Sequence, residues 1–449
     1  MSVNVKQKKS APKRDVSSSP SQSSTSDSSE ASNESVDEAK EETTPANDKV
    51  LTKYSMAAEI VNTVLKELIS EVKEGVEVGH LCSVGDNRLL ELTGNLFKKE
   101  KSVQKGISMP TCISVDNCVC HFSPLKSEPP VLLKQGQLVK VDLGAHVDGY
   151  IATAAHSVVV GASAENKTTG KKANAILAAY NTMEMVLRML KPTKSFKNAE
   201  VTDRIGKLAK TYGTTPVENM LSHQVERFKT VGEKQIIQNP SEEQKSKVEK
   251  CSFENFEVYS IDILISTGEG KAKTHDARTT VFKKADDIVY SLKLKASRAF
   301  LYEAQRRFGV MPFSLRQFED EKMAKVGSTE CSKHDLMQPY QVTSENGPIH
   351  SLFPFPPFWV FYEREGEVVA QFKCTAIIMP SGIFKITGLP LDTASIECEV
   401  KIENEEIGAL LGEPLKPKKK KPNKKGGGSE KKKTGTEKEE ATKENAEGE

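Results

Sequence analysis

Asp142, His223 and Asp262 are the residues of this 449-residue chain whose types best suit metal chemistry. Carboxylate and imidazole side chains both bind divalent ions, and three such ligands leave coordination positions open for water or a substrate. One alternative that the sequence leaves open is therefore a single-metal site of the facial type, made by these three side chains.

A predicted hairpin places a hydroxyl beside the first of these carboxylates. The pair Asp148-Gly149 between two strand-like segments indicates a two-residue turn. With that turn, Asp142 lies opposite Ala155 and Thr153 lies opposite Gly144. Asp142 and Thr153 then share one face as diagonal neighbours about 7–8 Å apart, close enough to converge on one point.

A second cluster of potential ligands consists of Cys112, Cys118, Cys120 and His121. Structural zinc sites combine a C-x2-4-C pair with a distant second pair. Here Cys118 and Cys120 are expected to alternate along a strand, so a packing role for these cysteines is favoured over zinc.

The elements that must position these residues alternate between helices and strands. Apolar residues at helical spacing predict a helix from about Lys53 to Val72, which Gly75 would end as a C′ glycine. Further helices are expected at 87–97, 173–190 and 199–210, and a largely helical stretch at about 285–336. Strands are expected at 137–142, 150–160, 256–266, 279–283, 359–364, 368–379 and 382–386. This order predicts an α+β fold with an antiparallel sheet and helices on one face.

Both ends of the chain are polar and their charge is segregated. Net charge is only +2, but residues 1–14 carry five Lys or Arg, and residues 15–48 carry nine acids against Lys40. Residues 1–48 and 412–449 are expected to be disordered tails around a folded domain at 49–411. The segment 407–411 is similar to a nuclear-receptor docking helix, but a final amphipathic turn that covers the core is favoured.

Ten lysines in the C-terminal tail are the clearest signal for a partner. Such a run attracts phosphate in a salt-dependent, sequence-independent way, and it also suits nuclear localisation. The alternative is a plain solubilising tail. The predicted nucleic-acid-binding residues are Lys416, Lys418, Lys419, Lys420, Lys421, Lys424, Lys425, Lys431, Lys432 and Lys433.

Composition excludes several other classes of protein. Eight Cys in this length do not make a disulfide scaffold, the charged N-terminus has no secretory signal, and no run of eighteen apolar residues occurs. We therefore expect a monomeric protein of a reducing compartment that does not insert into membranes.

Six short motifs in a characteristic order resemble the type-II methionine aminopeptidases. They are NCVCHFSP at 117–124, VDLGAHVDGY at 141–150, SH at 222–223, EVYSID at 257–262, STGEG at 266–270 and AQFK at 370–373. The helical stretch at 285–336 falls where type-II enzymes carry an insertion. The short motifs TKY at 52–54 and FKKEK at 97–101, together with the Lys-rich C-terminal segment, resemble those of the proliferation-associated branch of that family. The resemblance implies the pita-bread fold.

The resemblance also implies five ligands for two metal ions, and this chain departs from that set. Asp142 and His223 match, while Asp262 stands where a Glu is expected and Thr153 where an Asp is expected. Lys373 replaces the Glu that bridges both ions, and a protonated amine repels the ions. We expect Lys373 to stand in for the metal, with no cofactor bound and no peptidase activity.

Two further positions concern the substrate pocket. His121 matches the family's substrate-facing His, although a His that is partly buried and bonded to backbone fits the sequence equally well. The position of the family's second pocket His is Val231.

The resemblance to the proliferation-associated branch implies partners and location. It implies RNA, ribosome and ribonucleoprotein binding, growth and translation regulation, and transcriptional corepression. Receptor tails or transcriptional regulators would be the protein partners, and the nucleus, nucleolus and cytoplasm the compartments. A residual peptidase that uses Asp142, His223 and Asp262 is the alternative function.

Overall fold

The computed structural model describes residues 43–285, 288–340 and 359–416. Eight α-helices in those ranges are labelled in chain order: α1 Asp48–Glu71, α2 Val78–Asn95, α3 Gly170–Met189, α4 Asn198–Thr211, α5 Glu242–Lys247, α6 Lys295–Phe308, α7 Glu321–Lys333 and α8 Glu405–Gly412. Short 3-10 turns occur at Pro192–Lys194, Leu315–Gln317 and Thr393–Ser395.

The strands of the described ranges form one large sheet and two small ones. They are β1 Lys105–Val115, β2 Leu138–Val147, β3 Tyr150–Val159, β4 Thr215–Pro216, β5 Leu221–Gln224, β6 Gln235–Ile237, β7 Val258–Ser266, β8 Lys273–Arg278, β9 Val281–Lys284, β10 Phe313–Ser314, β11 Met337–Pro339, β12 Trp359–Tyr362, β13 Val369–Met379 and β14 Gly382–Lys385. The large sheet has the order β1-β2-β3-β13-β7-β5-β6, with β14 on β13 and β4 on β7. Its pairs are antiparallel, as predicted.

Alternation along the strands gives this sheet two different faces. In β7, Ile261 and Ile263 pack against α3 and α4, while Asp262 between them points to the opposite face. In β2, Val141 and Leu143 pack against α1 and α2, and Asp142 points away. The helices therefore cover one face, as predicted, and the polar residues gather on the other.

The first two helices differ from the prediction at their ends. Helix α1 begins at Asp48 and ends at Glu71 with Val72 as its C-cap, so Gly75 lies beyond C′ and serves the following turn at φ +80°. Helix α2 starts nine residues before the predicted start at 87. Glycines in this helix obscured its helical pattern of apolar residues. One of them, Gly85, is needed because a Cβ at that position would lie 2.5 Å from the Thr111 hydroxyl.

The stretch predicted as largely helical contains α6 and α7 packed together, and it also includes strands. Strands β9, β10 and β11 form a three-stranded sheet that joins the two helices to the main domain. Phe300, Phe313 and Phe318 form the centre of a separate apolar cluster. The strand predicted at 279–283 is observed as β9 at Val281–Lys284, which pairs with β10 and β11. A separate strand that was not predicted, β8, ends just before it at Arg278 and pairs with β12.

The C-terminal part of the described chain covers the helices. In α8, Ile407 and Leu410 are buried in the same apolar cluster as α3 and α4. This confirms the interpretation of 407–411 as an amphipathic turn over the core.

The predicted tails fall largely outside the described residues. Residues 1–42 and 417–449 lie beyond them, while 43–48 and 412–416 are described. Within the described ranges, none of the helices combines the length and the apolar character that crossing a bilayer requires.

Candidate functional site: a lysine-bridged carboxylate centre

The β2–β3 hairpin has the turn and the register that the sequence predicts. Asp148 and Gly149 both have positive φ, at 54° and 80°, which a tight two-residue hairpin turn requires. Asp142 pairs with Ala155, and Thr153 pairs with Gly144. Asp142 and Thr153 therefore share the open face of the sheet, as predicted.

Lys373 on β13 lies between two carboxylates from neighbouring strands. It pairs with Asp262 on β7 and with Ala155 on β3, the partner of Asp142. Its Nζ is 2.7 Å from Asp142 Oδ2 and 3.0 Å from Asp262 Oδ2. The three side chains are nearly fully buried, with at most 7% of any side chain exposed. One ammonium thus bridges both acids.

The charges of this centre shift one another's protonation. Burial would lower the pKa of Lys373, but Asp142 and Asp262 together raise it well above its ordinary range. Burial raises the pKa of both carboxyls, and the nearby ammonium opposes that rise only in part. One positive charge cannot neutralise two buried carboxylates. The lysine therefore stays charged, while the desolvation of the two carboxylates is only partly offset and their pKa values stay raised.

Neutral side chains complete the polar surroundings of the carboxylates. Gln371 donates from Nε2 to Asp262 Oδ1 at 2.9 Å. Thr153 Oγ1 and Ser260 Oγ are 3.1 Å apart. Sequence reasoning missed Gln371 and Ser260, although the alternation along β13 and β7 puts them on the same face as Lys373 and Asp262.

His223 is part of this centre but does not pair with either acid. It lies on β5 beside Ser260, and its Nδ1 is 3.1 Å from the carbonyl oxygen of the next residue, Gln224. Burial lowers the pKa of His223 to about 4, with a further contribution from the Lys373 ammonium. The imidazole is therefore neutral at pH 7.

His121 lies at the edge of the centre. Its φ is +60°, its ring packs against Tyr340 at 5.3 Å between centroids, and its Nε2 is 3.8 Å from Asp142 Oδ2. That Nε2 is buried without a hydrogen-bond partner among the described residues. Burial lowers the pKa of His121 to about 3, followed by the Lys373 charge. The loop places it over the carboxylates.

A small cavity lies beside these residues. Its volume is about 20 Å³, room for about one water molecule. The lining residues are Ser108, Met109, Ile151, Thr153, His223, Val225, Thr230, Ser260, Asp262, Tyr340 and Lys373. Among these lining residues, Thr230 Oγ1 is buried without a described hydrogen-bond partner, and so is Asp262 Oδ2 apart from its ion pair with Lys373. These acceptors suit one bound water.

Comparison with known proteins places this fold and centre in a family. The profile of metallopeptidase family M24 matches residues 52–290, more than half of the chain. The chain belongs to metallopeptidase family M24. Its antiparallel sheet with helices on one face is the pita-bread fold of that family, as the resemblance to methionine aminopeptidases implies.

Two relatives match most of this chain. "Proliferation-associated protein A" of Dictyostelium discoideum is 39% identical over 84% of this chain and 91% of its own length. "ERBB-3 binding protein 1" of Solanum tuberosum is 40% identical over 85% of this chain and 92% of its own. The solved structure of a thermophilic Arx1 is 28% identical, with a TM-score of 0.73 over 83% of this chain and 100% of that one. The predicted resemblance to the proliferation-associated branch is confirmed.

The two metal ions of M24 peptidases do not fit the residues of this chain. Lys373 Nζ occupies the space between Asp142 and Asp262, where cations would have to lie, and it adds a positive charge there. Thr153 offers a hydroxyl that already contacts Ser260. Among the described residues, no group of three or more His, Cys, Asp or Glu side chains is arranged to hold a metal ion.

The cysteines near this M24 centre do not alternate in a strand, so that expectation is wrong. Strand β1 ends at Val115, and Cys118 forms only an isolated bridge with Tyr362. Asp116 has φ +45° and turns the chain there. All eight cysteines are free thiols, and Cys112 and Cys118 are buried.

The predicted nucleic-acid-binding lysines are mostly beyond the described part of this M24 chain. Lys416 is described, and its Nζ lies 3.6 Å from the centre of the Phe384 ring. The other nine lysines, Lys418, Lys419, Lys420, Lys421, Lys424, Lys425, Lys431, Lys432 and Lys433, lie outside the described residues.

Proposed function

We propose that this protein is a non-catalytic member of family M24 that binds RNA and ribonucleoprotein particles and regulates growth. The observation that carries the non-catalytic part is the Lys373 ammonium, 2.7 Å from Asp142 and 3.0 Å from Asp262. A hydrolytic metal centre needs cations at that place to activate water. The Lys373 ammonium supplies the positive charge that the carboxylates need, but it cannot activate water as a metal ion does.

The competing function is a residual peptidase with one metal ion on Asp142, His223 and Asp262. It would require Lys373 to leave both carboxylates or to lose its proton. The two acids oppose deprotonation, since they raise the pKa of Lys373 well above its ordinary range. Moving the ammonium away would leave two buried carboxylates unpaired, at a cost of several kcal/mol. The geometry therefore favours the binding protein.

RNA binding is supported by the charge of the tail and by a second basic surface. The lysine run at 416–433 attracts phosphate through counterion release. On α6, the exposed residues Lys295, Arg298, Tyr302 and Arg306 lie along one stripe at spacings of three and four residues. Tyr302 is 71% exposed, which suits stacking of its ring on a base.

Protein partners form part of the same proposal. A relative that is 40% identical is named for binding ERBB-3, and another is named for proliferation. We infer signalling-receptor tails or transcriptional regulators as partners, growth and translation regulation as the role, and both nucleus with nucleolus and cytoplasm as the locations. Retention of a peptide N-terminus without cleavage would need more room than the cavity of about 20 Å³ beside Lys373 provides, so the pocket would have to open for it.

Metal content and peptide cleavage test the non-catalytic part. The purified full chain is analysed for bound metal and assayed on a Met-Ala-Ser peptide with added Co, Mn or Zn. We expect no stoichiometric metal and no release of Met. Turnover that disappears in the His223→Ala variant would establish the residual peptidase instead.

Salt-dependent RNA binding tests the other part. A structured RNA is titrated with the full chain at several salt concentrations, and with a variant carrying Lys295→Gln, Arg298→Gln and Arg306→Gln. Each phosphate contact removed should reduce the slope of log K against log salt by roughly 0.7–0.9. The matched control is Lys49→Gln, Lys66→Gln and Lys73→Gln, which removes three exposed charges from α1 and the turn after it. Equal slopes for both variants would remove α6 from the interface.

A further inference from the structure

Residues 396–403 lie between a 3-10 turn and α8, outside the named strands, and their backbone makes few hydrogen bonds with the described residues. The segment starts in extended geometry, with Ile396 at φ −127° and ψ 135°. Ile396 makes one parallel bridge with Thr168, in which Thr168 N donates to Ser395 O at 2.8 Å and Glu397 N donates to Thr168 O at 2.9 Å. After Glu397, the N–H and C=O groups of 398–403 make no backbone hydrogen bond with any residue that the structure describes. Within the described part of the chain, six consecutive residues therefore have backbone groups without a backbone partner.

Side-chain packing holds this segment in its extended form. Cys398, Val400 and Ile402 pack against the apolar cluster that α3 and α4 share with the sheet. Cys398 Sγ also donates to Asn174 Oδ1 on α3 at 3.1 Å. The intervening residues Glu397, Glu399, Lys401 and Glu403 are exposed. This period of two is that of a β-strand with one face anchored.

The bridge with Thr168 determines which edge each residue faces. In a strand, the N–H and C=O of alternate residues point to opposite edges. Since Ser395 and Glu397 bond to Thr168, residues 399, 401 and 403 face the Thr168 edge. Residues 398, 400 and 402 face the other edge. The Thr168 segment cannot continue the pairing, because α3 begins at Gly170.

We propose that 398–403 is a docking strand that accepts an extended, basic segment of a partner protein by β-strand addition. An edge with open N–H and C=O groups is a template for a further strand. The packing of alternate side chains has already ordered this edge, so the partner alone loses conformational entropy on binding. The added strand pairs with residues 398, 400 and 402.

The charge of the segment specifies a basic partner. Glu397, Glu399 and Glu403 point outwards against the single Lys401, and none of these three acids forms an ion pair within the described residues. The first turn of α8 adds Glu405 and Glu406, of which Glu406 contacts Arg204 at 2.5 Å. A partner with Lys or Arg at alternate positions places its charges opposite these acids, and each cross-strand pair contributes about 0.2–1 kcal/mol.

Peptide titration distinguishes strand addition from charge attraction. The probe is a fluorescent nonapeptide that alternates Lys with Thr or Val. The control peptide has the same sequence but carries N-methyl groups on the backbone of alternate residues. Both have the same charge, but the methylated peptide cannot donate along one edge. We expect it to bind the full chain at least about tenfold more weakly, a difference of roughly 1.4 kcal/mol. Equal affinity of the two peptides, or no binding by either, overturns the proposal.

A charge-reversal variant locates the site. Glu397→Lys, Glu399→Lys and Glu403→Lys together should weaken binding of the unmethylated peptide by at least about tenfold. The control variant reverses three exposed acids of α1 and the turn after it, Glu59→Lys, Glu71→Lys and Glu74→Lys. It should change the affinity by less than about twofold. Equal losses in both variants would show that only net charge matters and would overturn the site.

Amide exchange tests the edge itself. The amides of 398–403 should exchange rapidly in the free protein because they have no acceptor. With the unmethylated peptide bound, protection should appear at 398, 400 and 402 and not at 399 and 401. Protection at 399 and 401 instead, or at none of these amides, would overturn the assignment.

Discussion

Lys373 and Asp262 lie directly opposite each other in the β13–β7 ladder, with Lys373 Nζ 3.0 Å from Asp262 Oδ2. The same ammonium is 2.7 Å from Asp142 Oδ2 on β2, so a single side chain connects the two halves of the sheet at its polar face. The resemblance to methionine aminopeptidases implies a carboxylate at this place, where metal ions would supply the positive charge. In this protein the ammonium of Lys373 supplies that positive charge.

Replacement of Lys373 by Met should destabilise the protein. The change leaves Asp142 and Asp262 buried without a cation, which typically costs about 3–5 kcal/mol of unfolding free energy. Urea denaturation followed by circular dichroism measures it. The control joins Lys373→Met with Asp142→Asn and Asp262→Asn, which removes all three charges and should recover most of the loss. An unchanged midpoint for the single variant would contradict the role of Lys373 as an internal counterion.

Restoration of the carboxylates should restore metal binding. In a triple variant with Thr153→Asp, Asp262→Glu and Lys373→Glu, the ammonium is gone and the acids of the family's site are present around His223. We expect the folded variant to bind Co or Mn, as measured by calorimetry and elemental analysis, whereas the wild type does not. Adding His223→Ala should weaken the binding. A folded triple variant without metal would show that Lys373 is not what prevents binding.

Buried histidines should make the fold sensitive to mild acid. His156 is packed against Phe372 at 5.0 Å between ring centroids, and burial, followed by the Lys385 charge, lowers the pKa of His156 to about 4. The unfolded His has a pKa near 6.5, so the unfolded chain binds more protons between pH 6.5 and 4. Stability from this group is complete above about pH 6.5 and is lost as the pH falls towards 4.

The measurement for this prediction is urea denaturation at pH 7 and at pH 4.5. Burial lowers the pKa values of His146 and His223 to about 4 as well, so each adds to the loss. Asp142 and Asp262 act in the opposite sense, because their pKa values are raised in the fold. The variant His156→Gln isolates one contribution and should lose less stability between the two pH values than the wild type. An equal or greater loss in the variant would refute the argument.

The buried pair Asp86–Arg316 should anchor the inserted helices to the main domain. Arg316 Nη2 is 2.7 Å from Asp86 Oδ2, and at most 5% of either side chain is exposed. Asp86 also accepts from Thr111 N at 2.7 Å. Asp86→Ala leaves the guanidinium buried and unpaired, so we expect a loss of about 3–5 kcal/mol and faster amide exchange in α6 and α7.

The control for this pair is an exposed arginine on the same helix. Arg88 contacts Glu67 and Glu91 at the surface, and Arg88→Met should cost less than about 1 kcal/mol. Similar effects of both substitutions would mean that burial does not determine the strength of the Asp86 pair.

The sequence predicts much of this fold from local patterns. The Asp148-Gly149 turn, with positive φ at both residues, sets the register that places Asp142 and Thr153 on one face. The turn and the register can both be predicted because they depend on residues that are close together in the chain. The apolar spacing in α1 and α3 likewise indicates their buried faces, because a helix repeats every few residues. Glycines defeat this reasoning at α2, where Gly85 allows close contact with Thr111.

The site depends on contacts that no local pattern contains. The amino-acid sequence shows that Asp142, His223, Asp262 and Lys373 are present, and the resemblance to methionine aminopeptidases implies that Lys373 stands where a carboxylate is expected. The three-dimensional arrangement was needed to show that one ammonium reaches both acids and that Gln371 donates to Asp262. It was also needed to show that 398–403 has no backbone partner among the described residues after the bridge to Thr168. The reason is physical: residue types are fixed along the chain, but distances between strands far apart in sequence depend on how the sheet pairs and which helices cover it.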